Sequence, residues 1–325
     1  MPVMEGPVLI VGVSGFIGRT LAARLASAGV RVRGLDIVRR DDATAIEFVQ
    51  ADLTDRQSLP KAVDGSRVVF HCARWAGQPR SEEAAYLIDV VGTANLLEAC
   101  RQVGVARLVY MSSITFYGPT TIPVITEATP SWPVGAYGRS KAQAEERVQA
   151  AYRAGVPVVT LRPGQAYGPG SLGGTIEPIR WLAAGRPVLV NGGAGITSPV
   201  YIAHLIDAMV AAGTIEGIEG QAFNIADGDF PWREFYGHYA RMVGRPLRSV
   251  PAFAVWIAGL GAEAIGWLTA RPQDLDRAAV RYLTRKSSFA TERARTVLGW
   301  HPARSTNETM EETERWLHEA GVLRT

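Results

Sequence analysis

Cysteine is scarce. Cys72 and Cys100 are the two in the chain, and they form neither a C-x-x-C pair nor a metal-ligand spacing. That excludes a disulfide framework and a zinc ribbon, so no metal is expected and free thiols imply a reducing, cytoplasmic compartment. Charge of one sign is scarce too: the net charge is +3, and no basic run is interleaved with aromatics. Nucleic acid is therefore not an expected partner. No apolar run reaches the roughly 20 residues of a membrane span. The nearest approach, residues 252–268 (AFAVWIAGLGAEAIGWL), carries Glu263 and three glycines. It reads as a buried or subunit-facing helix, with a lid over an apolar substrate or a peripheral membrane contact as the functional alternative. The apolar start, residues 7–13, follows Glu5 rather than a basic stretch and reads as a strand, not a signal peptide. Repeats, low-complexity tracts and linkers are also missing.

What is present is the composition of a globular protein, 47% apolar and 20% charged, over 325 residues. That length suffices for one large or two modest domains with a full core. Strand-like runs at 8–11, 30–35, 46–49, 68–70, 108–111 and 156–161 alternate with helical patterns at 17–28, 86–103 and 136–154. Strand, helix, strand in repetition predicts an α/β fold, a Rossmann-type doubly wound parallel sheet with helices on both faces. Beyond about residue 168 glycine and proline become frequent. The expected organisation is a nucleotide-binding domain over 1–170, to which 198–228 returns through 200–209 and 222–225. A smaller substrate-binding lobe would take 171–197 and 229–325.

At the first strand-to-helix junction stands Gly12-Val13-Ser14-Gly15-Phe16-Ile17-Gly18. Glycines there permit a tight turn and bring backbone N–H groups to a pyrophosphate at the positive end of a helix. The spacing is GxxGxxG and weak alone, but a strand precedes it, a helix follows, and Asp36 ends the next strand. A carboxylate at Asp36 suits ribose hydroxyls and repels a 2′-phosphate, which favours NAD over NADP; Arg39 and Arg40 argue the other way. Asp52 and Leu53 follow the third strand, where a carboxylate can accept from an adenine amino group. The competing reading, a helix N-cap for a segment from Asp55 onward, fits Thr54 or Asp55 better. Ala73 is small enough for a cofactor to pack on backbone, and His71 reads as a structural hydrogen-bonder.

The fifth strand runs into Ser112 and Ser113, and ligands of open parallel sheets bind beyond such carboxyl ends. Ser113, with Ser112 as its rival and turn capping as the bland alternative, can donate to a substrate oxygen. Tyr137-Gly138-Arg139-Ser140-Lys141 then puts a phenol and an ammonium one helical turn apart. A free phenol ionises only near pH 10. A neighbouring cation favours phenolate, so such a pair can exchange a proton with substrate.

Together these motifs, with LRPGQAYGPG, VYIAHLIDA and FNIADG, resemble the extended short-chain dehydrogenase/reductase family over nearly the whole chain. The C-terminal part is similar to the branch holding 3β-hydroxysteroid dehydrogenases and dihydroflavonol reductases. The resemblance implies NAD(P) on a Rossmann fold, Ser113 and Tyr137 as catalytic residues, and Lys141 holding the nicotinamide ribose as well. It also implies Pro163 near the nicotinamide and a homodimer through the helices at 86–103 and 136–154. Three positions depart from the family. Asp89 replaces an asparagine in Asp89-Val90-Val91-Gly92-Thr93. Residues 196–199 lack the Arg-Asp pair of nucleotide-sugar members. His204 replaces an aspartate.

The resulting expectation is an NAD-dependent enzyme interconverting a secondary alcohol and ketone of an apolar small molecule, sterol-like or natural-product-like. Alternatives are a nucleotide-sugar epimerase or dehydratase with tightly held NAD, and a non-catalytic NAD(P)-sensing regulator. Trp75, Trp132, Trp181, Tyr167, Trp256 and Trp267 are the candidate walls of an apolar pocket, though aromatics are more often core.

Overall fold

The computed structural model describes residues 4, 6–40, 46–75, 82–255, 257 and 277–323. The segment 258–268, Trp256 and Trp267 lie outside them, and so does most of the expected apolar helix.

The first strand, β1 (Val8–Val11), is four apolar residues that are all buried. Side chains alternate across a strand. Val8 and Ile10 accordingly enter one core, while Leu9 and Val11 enter a second. Around β1 lie β2 (Val32–Asp36), β3 (Glu47–Gln50), β4 (Val68–His71), β5 (Arg107–Met111), β7 (Val158–Pro163) and β12 (Ala222–Ile225). They form one seven-stranded sheet in the order β12-β7-β5-β4-β1-β2-β3. Every pairing in it is parallel; Val8, for example, sits opposite both Val32 and Val68. This is the Rossmann-type doubly wound arrangement. Strand order reverses between β1 and β4, and the crevice beyond the strand ends at that point is where such sheets bind ligands.

The first core packs α1 (Phe16–Ser27) and α7 (Ile202–Thr214) on one face of the sheet. The second packs α2 (Leu59–Val63), α4 (Thr93–Val103) and α5 (Gly135–Arg153) on the other. Ahead of α4 come α3 (Glu82–Ala85) and a π-helical stretch, Tyr86–Gly92, that contains Asp89. Such wide turns concentrate at functional sites.

The remaining elements are short. Strand β8 (Gln165–Tyr167) pairs with β11 (Pro199–Tyr201), β6 (Val124–Ile125) with β15 (Ser288–Phe289), β9 (Leu189–Val190) with β14 (Ser249–Val250), and β10 (Ile196–Thr197) with β13 (Phe230–Pro231). The helices there are α6 (Glu177–Ala183), α8 (Trp232–Val243), α9 (Arg277–Thr284), α10 (Glu292–Leu298) and α11 (Thr306–Glu319). A capping box between Ser305 and Glu308 starts α11. The Trp300 indole donates to the His204 carbonyl at 2.7 Å, which ties this end of the chain to α7.

Two expectations change. Residues 222–225 return to the sheet as the edge strand β12, but 200–209 return as β11 and the first half of α7. Their apolar residues follow helical spacing, and α7 is buried along most of its length because it covers the sheet. After the third strand, the helix begins at Leu59 behind Ser58, not near Asp55.

Candidate active site

The glycine loop is shaped by contact, not only by flexibility. Gly12 has φ +83, and a Cβ there would lie 2.6 Å from the Ala73 nitrogen. Ala73 thereby stands at backbone distance from the loop. At Gly18 a Cβ would overlap the Gly12 carbonyl oxygen, so α1 approaches β1 more closely than any side chain permits. Gly15 caps α1 without a side-chain hydrogen bond, and Phe16 and Ile17 form its first turn. The first N–H groups of a helix have no partner within it, and they carry its positive dipole end. These residues fit a dinucleotide pyrophosphate.

Asp36 closes β2 at the mouth of this loop. One carboxylate oxygen accepts from the Ser14 N–H at 2.9 Å, the other from the Ile37 N–H at 2.8 Å. The second oxygen also receives the Val38 N–H at 3.5 Å, so the first is the one that keeps an acceptor site for a ribose hydroxyl. The Arg39 guanidinium lies over the Phe48 ring, 5.6 Å from its centroid. Asp52 is exposed, and one oxygen accepts from the Thr54 N–H and hydroxyl at 2.8 and 2.9 Å. It shapes a turn here. The Leu53 side chain is buried against Gly92, which leaves backbone as its contribution to a nucleotide pocket. Pro163 ends β7, opposite Ile225 of β12.

The segments that bear Ser113 and Tyr137 come together because α5 is drawn onto the end of β5. The Lys141 ammonium, 3% exposed, donates to the Met111 carbonyl at 3.0 Å. A Cβ on Gly138 would lie 3.2 Å from the Thr115 carbonyl oxygen, so the first turn of α5 rests on the segment after Ser113. Lys141 Nζ stands 6.0 Å from the Tyr137 ring centroid and 5.2 Å from that of Tyr110. Tyr137 itself is 38% exposed, with the Arg74 guanidinium 5.7 Å from its ring centroid. The helix has strong local reasons to form, since alanine, glutamine and glutamate dominate residues 142–151.

The two serines separate by partner. Ser112 donates to the Glu145 carboxylate. Ser113 accepts from the Thr115 N–H at 3.2 Å, capping the turn as the bland reading held, and its own proton has no acceptor among the described residues. Of the two serines, Ser113 is the one with a hydroxyl to offer a substrate.

His71 is 1% exposed, and its Nε2 lies 2.8 Å from the Thr93 hydroxyl. Thr93 donates to the Asp89 carbonyl at 2.6 Å, so His71 must be the donor to Thr93. Burial, then the Lys141 charge, push its pKa down to about 3. A neutral, inward-facing imidazole is structural. Burial likewise raises the Cys72 thiol to about 12 against the pull of Lys141, which leaves it protonated.

Sequence reasoning passed over three contributors. Glu145 lies on the Tyr137–Lys141 face of α5, eight residues beyond Tyr137, and pairs with buried Arg162 of β7 at 2.6 Å. Burial opposes the Arg162 charge, yet Glu145 holds the guanidinium above its ordinary value. A lone arginine in the apolar run 158–163 was the available signal. Arg74 had no signal beyond its place after β4. Asp89, noted only as a departure, is 2% exposed and accepts from the Trp75 N–H at 2.6 Å and the Ser140 hydroxyl at 2.8 Å. Among the candidate pocket aromatics, Tyr167 is core, fully buried with its hydroxyl on Thr309. Trp132 is 75% exposed.

The NAD dependent epimerase/dehydratase family model matches residues 8–226. A Streptomyces protein named 3-diazoavenalumate denitrifying reductase is 33% identical over 91% of this chain and 95% of its own length. The 2-alkyl-3-oxoalkanoate reductase of Stenotrophomonas maltophilia is 31% identical over 74% and 76%. Among solved structures, MoeE5 in complex with UDP-glucose and NAD superposes with a TM-score of 0.78, covering 97% of this chain and 99% of that one at 22% identity. That likeness is one of fold.

Proposed function

The chain belongs to the NAD-dependent epimerase/dehydratase family, the extended short-chain dehydrogenase/reductases, and we propose that it interconverts a secondary alcohol and a ketone on an apolar small molecule. The observation that carries this reading is the fixed pair on α5. Tyr137 and Lys141 lie one turn apart, and Lys141 is anchored to the end of β5 that bears Ser113. The two relatives described above are named reductases, which supports net oxidation or reduction, while another relative, 30% identical over 90% of this chain, is named an epimerase and keeps that alternative in view. One of the two reductases is named for an alkyl-substituted oxo acid, a ketone on an apolar skeleton.

The glycine loop, Asp36, Ala73 and Pro163 would hold the dinucleotide, with Lys141 reaching its second ribose. Asp36 at the ribose end, with Arg39 turned onto Phe48, favours NAD over NADP. The bound nicotinamide supplies hydride exchange with the substrate carbon. In the oxidative direction Tyr137, as phenolate, takes the substrate hydroxyl proton. Lys141 stabilises that anion by its charge, and Ser113 donates to the substrate oxygen as charge develops there. In reduction the Tyr137 hydroxyl returns the proton. The Glu145–Arg162 pair holds β5, β7 and α5 in the register these steps need.

Tyr137→Phe removes the proton carrier and little else. We expect turnover to fall about 10²- to 10⁴-fold, the usual contribution of general acid–base catalysis. NAD affinity, followed by calorimetry, should stay the same. Near wild-type turnover in that variant would reject the mechanism. Stoichiometric NADH formation on an alcohol panel would separate a dehydrogenase from an epimerase, which accumulates none.

A further inference from the structure

Buried cations in this protein generally have matched counterparts. Arg162 has Glu145, Arg107 has Glu219, and Lys141 has the Met111 carbonyl. Arg285, in the link between α9 and β15, is different. It is 5% exposed, yet its Nε and Nη2 have no hydrogen-bond partner. No carboxylate among the described residues lies within ion-pair distance of it. Its guanidinium sits instead between two rings, 4.9 Å from the Tyr282 centroid and 4.6 Å from that of Phe289, with the Tyr282 hydroxyl as its one side-chain hydrogen-bond neighbour among the described residues. Asp229 is close enough to be felt, but its oxygens accept from the Ser198 hydroxyl at 2.5 Å and the Phe289 N–H at 3.2 Å. Leaving a buried charged donor unmatched is costly, and few folds keep one without a use.

We propose that Arg285 seats a carboxylate of the substrate, so that the molecule delivered to Tyr137 is an apolar hydroxy or oxo acid, not a neutral ketone. This rests on the hydride-transfer reading above. Nε and Nη2 form one edge of the guanidinium fork, the edge that receives both oxygens of a carboxylate side-on. The stacked rings hold that edge in a fixed plane. Arg285 lies beside the segment that follows Ser113, since its ring neighbour Phe289 packs against Tyr117 with 5.7 Å between centroids. Its carbonyl accepts from the Ile196 N–H at 2.6 Å, and burial raises the pKa of its neighbour Tyr282 against the pull of Arg285, with Tyr137 adding a smaller upward push. Arg74 and Lys141 flank Tyr137 with two further cations. A crevice lined in this way draws anions. One guanidinium matches the single charge of a carboxylate better than the multiple charge of a diphosphate.

The test compares 3-hydroxydodecanoate with its methyl ester on the NAD-loaded protein, by calorimetry for affinity and by nicotinamide absorbance for turnover. The wild type should bind the acid about 10- to 100-fold more tightly than the ester, the range expected of a charge-assisted bidentate contact. Arg285→Gln should abolish that preference while leaving ester and NAD affinity alone, and Arg285→Lys should keep part of it. Equal affinity for acid and ester in the wild type overturns the proposal, and so does binding of neither. A variant that weakens both ligands alike overturns it as well, because that is what a structural arginine would do. If Arg285→Gln fails to fold, the wild-type preference and its partial retention in Arg285→Lys decide. Acid-selective binding without NADH formation would leave the anion site standing and remove the hydride-transfer reading instead.

Discussion

Asp89 shows how much one buried carboxylate organises. It faces two donors, the Trp75 N–H and the Ser140 hydroxyl, from the loop after β4 and from α5. An asparagine has one oxygen for these two donors, but the Ser140 hydroxyl can reverse, accept from the amide, and still donate to the Tyr137 carbonyl, 3.0 Å away. Asp89→Asn should therefore stay within about 1 kcal/mol of wild type, whereas Asp89→Ala should cost about 1–3 kcal/mol in urea unfolding, since the Trp75 N–H loses its acceptor while Ser140 keeps the Tyr137 carbonyl. His71 predicts a pH dependence. The folded protein keeps its imidazole neutral down to about pH 3, while the unfolded chain protonates it near 6.5. Its contribution is complete above pH 6.5 and declines as pH falls toward 3. At pH 4.5 the loss is about 2–3 kcal/mol, and His71→Asn should flatten the stability profile between pH 7 and 4.5 by that amount. Neither effect was legible beforehand. Burial of Asp89 and the bare Nδ1 of His71 arise from packing between segments distant in sequence.

At the level of elements, local pattern served well where a strand or helix answers to its own residues. The run 8–11 is β1 to the residue, and 136–154 differs from α5 by one residue at each end. It served poorly for two- and three-residue strands such as β8, β10 and β15, whose pairing partners lie far along the chain. The glycine loop, Asp36 and the Tyr137–Lys141 pair were readable because each is local in sequence, the first two at strand ends and the pair within one turn of α5. The Glu145–Arg162 clamp was not, because its halves lie on different elements, and Arg285 declares its isolation only in three dimensions. The clamp makes a prediction of its own. Glu145→Gln leaves Arg162 buried without its counter-charge and should destabilise the fold by about 3–5 kcal/mol in denaturant titration. Methionine at both positions should recover much of that stability.

For the whole molecule, the outer surfaces of the stretch from Tyr86 to Val103 and of α5 are the expected homodimer contact. Tyr86, Leu87 and Tyr152 are exposed there at 42%, 47% and 40%. A dimer by light scattering, converted to monomer by Leu87→Arg, would bear this out; a wild-type monomer would contradict it. The sheet has a further consequence, for the order in which the protein is made. Strand β7 ends at Pro163, but its outer neighbour β12 begins only at Ala222, and the Trp300 anchor on α7 comes later still. A chain leaving the ribosome therefore completes the strands that bear Ser113 and Pro163 while the hydrogen-bonding edge of β7 is bare. Such an edge is a template for pairing with another chain. Biogenesis of this enzyme should depend on chaperone occupancy through that interval, and fragments ending between residues 170 and 220 should aggregate where the full chain does not.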